Sequence, residues 1–179
     1  MGVGVVSASL TGRRFVELLR PFGCRVLVYD PYLTAEEAER LGVRRGTLEE
    51  VVAQPVVSVH APDLPATRGL LGEAELARIP DGALFVNSAR AAVVDYEALT
   101  RHLAAGRFRA VLDVFPEEPL PASSPLYRLP NVLLTPHLAG YSEDVYADMG
   151  RAVARDVARL ARGEPAELAV DPARWSISA

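Results

Sequence analysis

Residues 4–12, GVVSASLTG, carry an apolar run into a segment of helical period. A strand-to-helix turn of this kind can hold the diphosphate of a dinucleotide. In the G-x-G-x-x-G form of the turn, the first glycine permits the tight bend, the second lets the backbone reach the pyrophosphate, and the third lets helix and strand pack closely. Only the third, Gly12, is glycine here; Ser7 and Ser9 stand at the other two positions. Serine is small but has a Cβ that disfavours positive φ, so the bend is expected to be altered or strained. A helix N-terminus still points N–H groups outward, and a serine hydroxyl can donate to phosphate. Asp30 ends RVLVYD, 18 residues after Gly12. An acidic side chain there accepts hydrogen bonds from adenosine ribose hydroxyls and repels a 2′-phosphate, which favours NAD over NADP. Taken alone, these features also suit a generic βα turn followed by a generic Asp-Pro turn.

The elements that must position these groups are legible as short apolar runs: GVGVV, RVLVY (25–29), PVVSV (55–59), ALFVN (83–87), AVLDV (110–114) and NVLLT (131–135). Continuous β-branched runs are the mark of strands buried on both faces, as in a parallel sheet. Between them lie helical segments at 11–22, 34–41, 47–53, 73–79 and 95–105, with apolar residues three and four apart. Thr34 and Asp95 are start signals, and Gly23, Gly42 and Gly106 are stops. Alternating strands and helices imply an open, doubly wound α/β sheet in three layers. A long helix over about 142–163 follows, acidic early and basic late as its dipole prefers, and then a tail, 164–179. Residues 1–163 are therefore expected as one Rossmann-type domain.

Composition narrows the function. Among 179 residues, half are hydrophobic, 23% are charged and the net charge is -4, an ordinary globular balance without the basic footprint of a nucleic-acid binder. One cysteine, Cys24, excludes an internal disulfide framework, and three scattered histidines show no metal-ligand spacing. No export signal, lipidation motif or spanning apolar stretch is present, so a reducing cytoplasm is expected and no membrane partner. Cys24 and His102 read as structural.

Five blocks in series give the chain a resemblance. SASLTGRRFVELLRPFGCRVLVYDP, VVSVHAPDLPATRGLLG, FVNSARAAVVDYEAL, LDVFPEEPL and LPNVLLTPHLAG together resemble the NAD-binding domain of the D-isomer-specific 2-hydroxyacid dehydrogenases, the family that includes 3-phosphoglycerate dehydrogenase. The resemblance implies NAD as cofactor, a small 2-oxo or 2-hydroxy acid as substrate, and a homodimer joined through this domain. It places Arg90 on the substrate carboxylate and carbonyl, His137 as acid/base, and Glu118 as the carboxylate that hydrogen-bonds His137 and favours its protonated form. Glutamine stands at that last position in related formate dehydrogenases. Matching positions imply further cofactor contacts at Ser7, Ser9, Leu10, Thr11, Gly12, Asp30, His60, Ala61 and Ser88, with Arg90 and His137 beside them and Asp113 on the nicotinamide carboxamide. Each residue has a plainer reading: Arg90 a solvated charge, Glu118 half of an acidic pair, His137 a strand-end cap. Serine at the first glycine position and Ala91 after the arginine depart from the family pattern.

Family members begin with about half of a substrate-binding domain, and the tail here is the remnant of a return to it. One wall of the substrate cleft is then outside these residues. The alternatives to an enzyme are a non-catalytic NAD(H)-binding or interaction module and a truncated, inactive product.

Overall fold

Strand β1, Gly2–Val6, is buried along its whole length and lies in the interior of a seven-stranded parallel sheet. In this computed structural model, which describes residues 1–172, its neighbours are β2, Arg25–Tyr29, and β4, Val56–Val59. Beyond β2 lies β3, Arg44–Arg45; beyond β4 lie β5, Leu84–Asn87, β6, Arg109–Leu112, and β7, Val132–Leu134. The order β3-β2-β1-β4-β5-β6-β7 reverses direction beside β1, the doubly wound arrangement expected from the alternating pattern. Crossovers between parallel strands need connections of a dozen or more residues, and helices supply most of them.

Two apolar clusters mark the two faces. Val3, Val5 and Val28 pack with Val16 of α1, Leu10–Leu19, and with Ala38 and Leu41 of α2, Ala35–Leu41. On the opposite face Val6, Val57, Val59, Phe85, Ala110 and Leu112 pack beneath α3, Leu48–Val52, α4, Glu73–Arg78, and α5, Tyr96–Ala104. Successive residues of one strand feed opposite faces, as the period of two requires. Gly4 lets α3 settle directly on β1, because a Cβ there would be driven into the Val51 carbonyl. Helices α2 and α3 both start with complete capping boxes, Thr34 with Glu37 and Thr47 with Glu50. His102 joins elements rather than a site: its Nε2 lies 2.8 Å from Glu73 and its ring stacks on Phe108. Cys24 is partly buried against the first cluster.

The chain divides into two compact units, Met1–His137 and Leu138–Ala179. The boundary expected at Gly163 falls inside the second, which contains the long helix α6, Glu143–Ala161. The tail stays with that helix for a local reason. Asp156 accepts the N–H groups of Glu167 and Leu168, and Arg159 donates to the Pro165 carbonyl and the Glu167 carboxylate. The last part of the expected tail, 173–179, lies outside the described residues. Among the described residues, no helix is long and apolar enough to cross a membrane.

His60 follows β4 and sits against Phe15, their ring centroids 4.9 Å apart, with its Nε2 2.9 Å from the Ser58 hydroxyl. Burial pushes its pKa down from 6.5 to about 4, so the folded state holds it neutral. The unfolded chain binds this proton first, so stability is complete above about pH 6.5 and falls as pH drops toward 4. Urea unfolding between pH 7 and 4 is expected to lose about 3 kcal/mol through this group, and His60→Gln to lack that portion of the slope.

Candidate functional site

The turn after β1 is built from hydrogen bonds that the backbone and two serines make to neighbouring strand ends. Ser7 N–H donates to the Tyr29 carbonyl of β2, and His60 N–H donates to the Val6 carbonyl, each at 2.8 Å. Ser7 takes the bend that glycine usually makes, with φ +78°, so the substitution kept the left-handed conformation. Its hydroxyl donates to Asp30 Oδ2 at 3.0 Å. Ser9 caps α1: its Oγ accepts from Gly12 N–H at 3.2 Å and donates to the His60 carbonyl at 2.8 Å. Both hydroxyl protons therefore have protein acceptors in this arrangement. The first N–H groups of α1, on Leu10 and Thr11, have no carbonyl one turn earlier within the helix and lie at its positive end. Both residues are exposed.

Gly12 is buried, and a Cβ built on it would enter the Ser7 carbonyl and press on His60 Cβ. That close approach of helix and strand, the two outward N–H groups and the strand-end carboxylate of Asp30 fit a dinucleotide: diphosphate over α1, ribose hydroxyls at Asp30. Ala61, buried, and His60, partly buried, border the same turn after β4.

The second group of residues follows β5, β6 and β7. Asn87, fully buried at the end of β5, accepts from Ala89 N–H and donates to the Arg90 carbonyl, fixing the loop that carries Arg90. Ser88 and Arg90 are exposed, and the guanidinium donates to the Ala89 carbonyl at 2.8 Å. Past β6, Asp113 is buried, and the Thr135 hydroxyl donates to its Oδ1 at 2.5 Å. Glu118 Oε1 accepts the Phe115 N–H at 2.9 Å, while Oε2 lies 2.8 Å from His137 Nδ1. The hydrogen bond to His137, helped by that from Phe115, holds the Glu118 carboxyl below the usual carboxylate range. His137 adopts φ +55°, and its N–H donates to the Asp113 carbonyl at 2.8 Å.

Arg90, Glu118 and His137 line one cavity of about 550 Å³, with Asp63 and Phe115. The structure thus brings together the three residues drawn from the resemblance, a guanidinium and a carboxylate-paired imidazole with Nε2 left for another partner. A second cavity, about 500 Å³, adjoins the same Glu118–His137 pair and is walled by Phe115, Leu120, Tyr127, Leu134 and Pro136. Asn87 and Thr135 were not singled out from sequence. The polar residue closing the apolar run FVN, and the threonine before PH, were the available signals.

A glycine-dependent turn at a helix N-terminus, an acidic second-strand end and polar residues beyond further strands define a Rossmann-type dinucleotide-binding domain. Residues 1–139 match the family pattern described as D-isomer specific 2-hydroxyacid dehydrogenase, NAD binding domain, and the chain belongs to that family. It is 34% identical over 170 residues to a D-3-phosphoglycerate dehydrogenase of Archaeoglobus fulgidus, covering 94% of this chain and 32% of that protein. To a glyoxylate reductase of Korarchaeum cryptofilum it is 35% identical over 164 residues, 90% of this chain and 49% of the other. Among solved structures, a D-isomer specific 2-hydroxyacid dehydrogenase from Xanthobacter autotrophicus Py2, in complex with NADPH and MES, superposes with a TM-score of 0.82 at 36% identity. That match covers 97% of this chain and 72% of the other. The chain spans about a third of the D-3-phosphoglycerate dehydrogenases it matches.

Gly12→Ala is expected to weaken NADH binding by at least about tenfold, because the added methyl must displace the Ser7 carbonyl and reshape the turn. Fluorescence titration of the folded variant checks it; unchanged affinity would mean that the dinucleotide sits elsewhere.

Proposed function

We propose that this chain is the cofactor-binding part of an NAD-dependent oxidoreductase that interconverts a small 2-oxo acid and its 2-hydroxy acid. The observation that carries the proposal is the cavity that Arg90 lines together with the hydrogen-bonded Glu118–His137 pair. When bound, NADH supplies the hydride that reduces the carbonyl carbon. Leu10 and Thr11 N–H groups hold its diphosphate, with Ser9 and Gly12 shaping the turn and Asp30 receiving the adenosine ribose. His60, Ala61, Ser88 and Asp113 border the remainder.

The substrate's roles fall to Arg90 and His137. The Arg90 guanidinium forks onto the carboxylate and the adjoining carbonyl oxygen, offsetting charge that gathers there during reduction. His137 gives its Nε2 proton to that oxygen, while Glu118 accepts the Nδ1–H and keeps the ring oriented. In the oxidative direction the same nitrogen takes the proton back. A homodimer joined through the cofactor domain, and a cytoplasmic setting, belong to the same reading. The family membership and the lack of spanning helices among the described residues support it. Sedimentation of the purified chain at twice the monomer mass would bear out the dimer.

The cofactor prediction uses Asp30. NADH is expected to bind at least about tenfold more tightly than NADPH, and Asp30→Ala to narrow that gap. Equal affinities for the wild type would reject the preference, a real test given that one solved relative holds NADPH. The catalytic prediction uses the pair. In an active preparation, completed where necessary with the remainder of the relatives' length, His137→Ala is expected to lower kcat by about 10²–10⁴-fold with NADH affinity preserved. Glu118→Gln removes the charge that pairs with an imidazolium, so the loss of 2-oxo acid reduction at rising pH should move to lower pH. Reduction indifferent to His137→Ala would mean that another group is the acid; normal NADH binding with no reduction of any 2-oxo acid would leave a binding module.

A further inference from the structure

We infer that Ser7 is a positioning residue for cofactor choice: its hydroxyl occupies Asp30 and weakens that carboxylate's discrimination between a free ribose diol and a 2′-phosphate. The inference rests on the cofactor reading above. Ser7 and His137 are the two non-glycine residues at positive φ among the described residues, and Ser7 stands where glycine would make the bend freely. What its side chain adds is a charge-assisted O–H···O bond to Asp30 Oδ2, 3.0 Å long.

That bond changes what Asp30 can offer. A carboxylate has about four acceptor positions. Oδ2 receives the Ser7 hydroxyl and the Ala8 N–H at 2.8 Å, and Oδ1 receives the Tyr32 N–H at 2.8 Å. Three of about four positions are thus filled from within the protein, and the remaining one is on Oδ1. A ribose diol brings two O–H donors and finds one ready acceptor. The Ser7 O–H dipole also points its positive end at the carboxylate, which softens the repulsion met by a 2′-phosphate. The bonds from Ala8 and Tyr32 come from the backbone and remain when position 7 changes. Ser7 therefore acts on cofactor choice through one removable hydroxyl.

The test measures NADH and NADPH dissociation constants for the wild type, Ser7→Ala and Ser7→Gly, each repeated with Asp30→Asn. Ser7→Ala removes the hydroxyl and keeps the Cβ; Ser7→Gly removes both and relaxes the turn. Both are expected to widen the preference for NADH over NADPH by about threefold to tenfold, the scale of one hydrogen bond. In the Asp30→Asn background the same changes should leave the ratio unmoved. Without any ligand, the unfolding midpoints of Ser7→Ala and Asp30→Asn should be non-additive, because Asp30→Asn takes the acceptor's charge from the bond that Ser7→Ala removes. A ratio that does not move while both dinucleotides still bind would overturn the role of Ser7, as would a shift that persists without the Asp30 carboxylate or additive midpoints. Binding of neither dinucleotide by the wild type would instead overturn the cofactor reading itself.

Discussion

The missing side chain at Gly12 governs the turn from β1 into α1. Helix α1 begins so close to the end of β1 that the Ser7 carbonyl and His60 Cβ fill the space a Cβ would need. From that approach follow the direction of the helix N-terminus, the seat of Ser9 against the His60 carbonyl, and the crossing of α1 over the first apolar cluster. Gly4 repeats the device on the opposite face, where α3 rests on the same strand. Strand β1 is therefore clamped from both sides by helices that only glycine admits at those two points. Close packing of this kind resists small displacements, so groups hung from the strand end inherit its rigidity.

The cavity lined by Arg90, Glu118 and His137 is organised differently. Arg90, Glu118 and His137 sit on loops, and their placement comes from polar contacts rather than apolar burial. Asn87 holds the Arg90 loop from below, the Phe115 N–H holds Glu118, and the Asp113 carbonyl holds the backbone of His137. Each anchor lies within a few residues of a parallel strand's carboxyl end, where open α/β sheets gather their ligands. Buried polar anchors carry a desolvation cost when unpaired, so each is meaningful only with its partner in place.

Strands and helices with apolar signals were legible from sequence. Six runs of β-branched residues became β1, β2, β4, β5, β6 and β7, and Thr34, Thr47 and Asp95 cap the helices that follow them. Strand β3 was not, because its two residues are exposed arginines at the sheet edge and carry no apolar signal. The end of the first compact unit was also hidden. The helical period of α6 carries no mark of the tail that belongs with it, and Asp156 contacts eleven residues ahead leave no periodic trace. At the site, the resemblance carried by the five blocks named Arg90, Glu118 and His137, which line one cavity. Backbone handedness was not legible: nothing in the letters shows that Ser7 and His137 adopt positive φ, or that Ser7 spends its hydroxyl on Asp30. From sequence, a phosphate-directed hydroxyl and a merely tolerated one were the two expectations; the contact the structure shows, with a residue 23 positions away, is neither.

The Thr135–Asp113 clasp joins the outgoing ends of β6 and β7 across the long connection between them. Within that connection, Glu118 closes onto Phe115 at its start and Tyr127 onto Leu120 further along. The excursion is thus stapled at its base by a side chain of each strand. Residues toward its tip, such as Ala122 and Ser123, can be exchanged, lengthened or given a new surface chemistry while the stapled base keeps its geometry. Such a loop is a place where descendants of one scaffold can diverge in what they meet outside, at little risk to the machinery the strands hold in common.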